Sequence, residues 1–147
     1  MNLSTAVKAI RLSNAAAAAT TTITSSALDT KGFDGALFIV TMGAIAATSV
    51  CSAKLQQSSD DGVADGYSDL LGTSIAIADD DDNQLVLIDI TQPRKRYLKL
   101  VLARATATAV VDSISALLYD AKNEPTLHHA ATVVGFELHN SPAEGTA

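Results

Sequence analysis

The chain has no tryptophan, one cysteine, three prolines, three phenylalanines and three tyrosines among 147 residues. Each shortage excludes something. A single cysteine, Cys51, permits no intrachain disulfide, so no oxidised scaffold replaces a packed core. Cys51 lies in a strand-like segment beside Val50 and Ala53 and reads as a small buried hydrophobe. Carbohydrate and ligand sites lean on aromatic platforms, and the chain offers only Tyr67, Tyr97 and Tyr119, of which Tyr67 alone falls in a loop. Positive charge is also scarce. Ten Lys and Arg stand against sixteen Asp and Glu, giving a net charge of −6 and a pI near 4.8. That balance argues against nucleic-acid partners, which require a basic footprint. The Ala15–Ala19 run is too short for a signal-peptide core or a membrane span, which points to synthesis in the cytoplasm and to no membrane partner.

Catalytic signatures are missing too. The sequence contains no G-x-S-x-G, no G-x-x-x-x-G-K-[ST], no G-x-G-x-x-G and no H-E-x-x-H. His128 and His129 are adjacent, and neighbours on an extended chain point opposite ways, so they do not chelate one ion. His139 stands ten residues on. The run Asp79–Asp82 lacks the alternating ligands and central glycine of a calcium loop and reads as a solvated turn. Ser59-Asp60-Asp61-Gly62, with Asp65 and Asp69, is a second acidic cluster of turn-capping type. Ser52, Ser58 and Ser59 have no base at informative spacing. The basic cluster Arg94-Lys95-Arg96, extended by Lys99 and Arg104, reads as the solvated start of a strand. These readings assign no catalytic, cofactor-binding or metal-ligating residue, and they predict a protein that is not an enzyme.

What the chain does have is period-two patterning. Hydrophobic residues make up 48% of it. Segments 35–42, 49–57, 84–90, 95–104 and 108–119 are apolar or alternating, with Asp- and Gly-rich turns between them. Ala36–Met42 is apolar on both faces, which predicts a central strand covered on both sides. Cys51, Ala53 and Leu55 alternate with Ser52, Lys54 and Gln56. Leu98, Leu100 and Leu102 alternate with Tyr97, Lys99 and Val101, and Ile114, Ala116 and Leu118 line one face of their strand. Residues 62–72 read as a long ordered loop. The Ala15–Ala19 run favours helix by propensity but leads into the β-prone Thr20–Thr24. The pattern predicts an all-β, two-sheet β-sandwich with extended terminal arms; it leaves Greek-key or jelly-roll-like connectivity open, and a small β-barrel is the structural runner-up. The division expected is an N-terminal arm at 1–19, a sandwich domain at 20–120 and a C-terminal extension at 121–147 that adds a strand before a flexible tail. A core built on Ala, Val, Ile and Leu buries little area per residue and gains from neighbours in an oligomer.

Four stretches together resemble small structural proteins of tailed bacteriophages: Ser26–Val40, Ala53–Gly62, Asp69–Gly72 and Lys95–Leu100, in that order. The resemblance covers roughly residues 20–119. It implies a β-sandwich virion component with the role of a capsid cement or decoration protein, stabilising contacts between capsomers on the outer head surface. The partners it implies are a second and third copy of the chain, as dimer or trimer, and the major capsid protein. It carries over no catalytic residue and no cofactor. The chain departs from the pattern after Gly62, where an aromatic, often Trp, tends to follow; Tyr67 is the candidate for that anchor. A tail, neck or head-to-tail adaptor protein is the nearest alternative, and a carbohydrate- or ligand-binding sandwich module is the second.

Overall fold

Alternation of apolar and polar side chains sends one face of each strand inward, so the segments pair into two sheets that close on each other. The computed structural model describes residues 1–146. In chain order the elements are one helical turn, α1 (Leu3–Ala6), and the strands β1 (Lys8–Ser13), β2 (Ala16–Ala19), β3 (Ile23–Thr24), β4 (Leu28–Asp29), β5 (Phe33–Ile45), β6 (Val50–Ser58), β7 (Ser68–Asp69), β8 (Ile75–Ile77), β9 (Leu85–Thr91), β10 (Tyr97–Ala105) and β11 (Ala109–Ala121). The first sheet has the order β1-β11-β5-β9, with β2 continuing β1 along β11. The second has the order β3-β10-β6-β7, with β4 beside β3 on β10 and β8 beside β7 on β6. All pairings are antiparallel. The chain alternates between the sheets, with β1, β5, β9 and β11 in one and β3–β4, β6–β8 and β10 in the other. The two-sheet sandwich is the one the pattern predicted; its connectivity, which the pattern left open, is that of a jelly roll.

The core lies between the sheets. Phe38, Val40 and Met42 of β5 and Ile114 and Leu118 of β11 face Leu98, Leu100 and Leu102 of β10 and Ala53 and Leu55 of β6, all of them buried. Phe38 is the one fully buried aromatic ring among the described residues, so aliphatic packing supplies most of the apolar burial. β5 is central in its sheet, between β11 and β9, as its doubly apolar pattern predicted.

The two ends of the chain differ from the expected arms. Residues 8–13 and 16–19 pair with β11 and form the edge of the first sheet. The alanine run is strand rather than helix, because sheet pairing along β11 outweighs a weak intrinsic preference. Beyond β11 the chain turns back along the free side of β1, held by side-chain bonds and isolated backbone bonds rather than by a regular strand. Thr126 Oγ1 donates to the Val7 carbonyl at 2.6 Å. Ala9 N–H donates to His128 Nδ1 at 3.0 Å, His129 N–H donates to the Ala9 carbonyl, and Arg11 N–H donates to Thr132 Oγ1. These bonds cover a sheet edge that would otherwise offer its amides to another chain.

Candidate functional site

The outward faces of the two sheets have opposite characters. On the second sheet each outward charge already has a partner. Lys54 Nζ lies 2.7 Å from Asp69, whose carboxyl is held below its usual range by Lys54 and by Gln56. Lys95 Nζ lies 2.7 Å from Asp65, and with the Ser59 amide it pulls that carboxyl down to about 2. Arg96 makes a two-pronged contact with Asp29, which lowers the carboxyl in turn. Lys99 sits 4.1 Å from the centre of the Tyr67 ring, while the Tyr67 hydroxyl donates to Asp61. Burial first, then Asp61, pushes the Tyr67 phenol well above its ordinary range. Tyr67 is thus the anchor of the 59–67 loop. The loop itself is knotted by Ser58, whose buried hydroxyl accepts from Gly62 N–H and donates to the Asp65 carbonyl, and by Asp60, which accepts from the Val63, Ala64 and Asp65 amides.

The first sheet carries an apolar strip on its outside, bordered by Thr41, Ser113, Ser115 and Asp89. The pleat that buries Phe38 and Val40 turns Leu37 and Ile39 of β5 outward. Register places Leu117 of β11 beside Leu37, and Leu87 of β9 beside Ile39. Leu85 continues the patch at the β9 edge. Leu85 is 59% and Leu87 52% exposed. Near Leu37 and Leu117 a groove of about 310 Å³ runs under Met1 and Leu3, so α1 borders the same surface. Two polar pairs cross this face: Ser113 Oγ donates to Thr41 Oγ1, and Tyr119 bonds Asp89. The Tyr119 ring lies over Gly35, where an added Cβ would fall 2.2 Å from ring carbons. Its hydroxyl reaches across β5 to donate to Asp89 of β9 at 2.7 Å. Burial, then that carboxylate, pushes the Tyr119 phenol up to about 12.

The remaining residues singled out from the sequence have structural occupations. Asp79 accepts the Thr48 amide, Asp81 the Ala78 amide and Asp82 the Ile45 amide. The run therefore caps the β5–β6 and β8–β9 turns, at the end of the sandwich where the chain crosses between sheets. Cys51 is buried beside Ser49. His128 serves the β1 edge and stacks edge-to-face with Phe136 at 4.8 Å. Among the described residues no cluster of three or more His, Cys, Asp or Glu is arranged to hold a metal ion, and no helix is long and apolar enough to cross a membrane.

Arg104 corrects the expectation of a solvated basic cluster. It is 4% exposed and has no carboxylate partner. Its guanidinium donates to the carbonyls of Thr21, Ala17 and Ala109 and to the Thr21 hydroxyl. A signal for this was present: Arg104 continues the inward-facing series Leu98, Leu100, Leu102. The clamp ties the β2–β3 connection to the end of β10.

No family model and no curated protein matches the chain.

Proposed function

We propose that this chain is a structural protein of a tailed-phage particle, a capsid cement or decoration protein that binds the outer head surface through the outward face of its first sheet. The observation that carries the reading is the contrast between the two faces. Charges on the second sheet are paired within the chain, which suits a face left in water. Leu37, Ile39, Leu85, Leu87 and Leu117 form a continuous apolar patch on the other, and such a patch is the mark of an interaction surface. The resemblance of residues 20–119 to small phage structural proteins supplies the particle.

The chemistry available favours packing over catalysis. The carboxylates in the turns accept backbone amides, and the histidine beside β1 accepts another. A docked sheet face contributes apolar burial of roughly 25 cal/mol per Å², and an attachment of the usual size buries about 1,000 Å² or more. Several copies joined in one oligomer add avidity. The net charge of −6 disfavours a place beside packaged genome and is compatible with basic patches on a shell.

Quantifying the proteins of purified particles tests this reading. A cement protein is present in copy number comparable to the major shell protein. A handful of copies per particle would transfer the chain to the tail or neck.

A further inference from the structure

Two features of the chain complement each other. The first is the β9 edge. The other sheet edges are covered or short: residues 126–132 lie along β1, β2 is four alanines, and the second sheet ends in the two- and three-residue strands β3, β4, β7 and β8. β9 pairs only with β5, in the register Val40↔Val86, Phe38↔Ile88. Met42 N–H donates to the Gln84 carbonyl and Gln92 N–H to the Asp34 carbonyl. Even-numbered residues therefore bond to β5, and residues 85, 87, 89 and 91 turn their amides and carbonyls to the open edge. No proline or lysine lies within Leu85–Thr91 to guard it. Beneath this edge, between β9 and β8, lies a groove of about 200 Å³ with Met42, Ile75, Ile77 and Val86 on its apolar side.

The second feature is the segment 134–138. Val134, Phe136 and Leu138 alternate with Gly135 and Glu137, which is strand patterning. Val134 is 109% and Leu138 53% exposed, and Phe136, 48% exposed, rests edge-to-face on His128, a contact that donation to another copy would replace. Among the described residues, 134–146 form no backbone–backbone hydrogen bond.

The segment cannot reach its own β9. Thr132 is bonded to Arg11 from outside β1, and a strand added outside β9 lies five strand spacings away, roughly 24 Å. Two residues of extended chain span only about 7 Å.

We infer that residues 134–138 of one copy add as a strand to the β9 edge of a second copy. The odd-numbered amides of β9 then gain partners, and Val134, Phe136 and Leu138 turn inward over the groove. A 150 Å³ cavity holds a benzene ring, so the groove admits the Phe136 side chain. Donor segment and acceptor edge lie on opposite sides of the first sheet, so donation links copies head to tail, or reciprocally in a pair. This association needs no shell and stands apart from the particle reading.

Sedimentation of the isolated chain tests it. The full chain is expected to form an oligomer at micromolar concentration. Removal of residues 133–147, which leaves the Thr126–Thr132 cover on β1, gives a monomer with the same β circular dichroism. Phe136→Asp weakens association roughly thirtyfold, the scale of one buried aromatic anchor. Leu87→Pro, whose lost N–H points away from β5, also weakens it. A monomeric full chain, or a truncated chain that still associates, overturns the inference while leaving shell attachment to be judged by copy number.

Discussion

Arg104 is the residue whose replacement tells most about how the body is held. Its guanidinium is buried without a carboxylate and makes four hydrogen bonds, at 2.8 Å to Thr21 O, 2.9 Å to Ala17 O, 2.7 Å to Ala109 O and 3.1 Å to Thr21 Oγ1. Replacement by Met keeps the apolar stem and removes every one of these donors. The carbonyls of exposed Ala17 and Thr21 regain water, but Ala109 is fully buried. An unsatisfied buried acceptor costs about 1–3 kcal/mol, and bonds from a charged donor contribute about 1.5–3 kcal/mol each. The recovered desolvation of the guanidinium offsets part of this. The balance predicts a loss of about 3 kcal/mol for Arg104→Met, which for a chain of this size lowers the Tm by roughly 6–12 °C. Arg104→Lys, with a point charge and no fork, recovers less than half. Urea unfolding followed by circular dichroism measures both, with the slope checked for constancy. A change below about 0.5 kcal/mol for Arg104→Met, the range of an ordinary surface substitution, would refute the clamp.

Three further expectations follow from the same contacts. Gly35→Ala pushes a methyl group into the Tyr119 ring and is expected to cost about 1–3 kcal/mol as overpacking; in the Tyr119→Ala background the cost falls sharply, and additive losses in the double-mutant cycle would contradict the contact. The depressed carboxyls of Asp65, Asp29 and Asp69 release protons more readily folded than unfolded. Their stabilisation is complete above the ordinary carboxylate range and is lost as pH falls toward about 2. Urea midpoints are therefore expected to hold steady from neutral pH down to the ordinary carboxylate range and then drop, less steeply in Lys95→Ala; a midpoint that rises on acidification contradicts the pairing. Thr126→Val removes the donor to the Val7 and Thr5 carbonyls, so amide exchange at Ala9 and Arg11 is expected to quicken while β5 and β11 exchange as before. Unchanged exchange at Ala9 would show that the edge cover does not depend on Thr126.

The strands that carry the core were legible because burial enforces a period of two. The series Cys51–Leu55, Leu98–Leu102 and Ile114–Leu118 each lost one face to the interior, and the structure places them there. β5 was legible as central because Leu37 and Ile39 break the expected polar alternation. β2 was not, because alanine has no strong preference that survives pairing. Arg104 was missed because it was read with its charged neighbours rather than by its parity in β10. The cover over β1 leaves no periodic trace, since Thr126, His128 and Thr132 bond through side chains at irregular spacing. The apolar outer strip was half visible: the doubly apolar pattern of 36–42 announced Leu37 and Ile39, but only register brought Leu117 beside Leu37 and Leu87 beside Ile39.

An image of the assembled particle, at a resolution that orients a β-sandwich, tests the central claim most directly. The account predicts this chain on the outer head surface in many copies, with Leu37, Leu87 and Leu117 turned toward the shell and the Lys54–Asp69 and Lys95–Asp65 pairs turned to solvent. Density with the charged sheet against the shell and the apolar face in open water, or no density on the head at all, would contradict it.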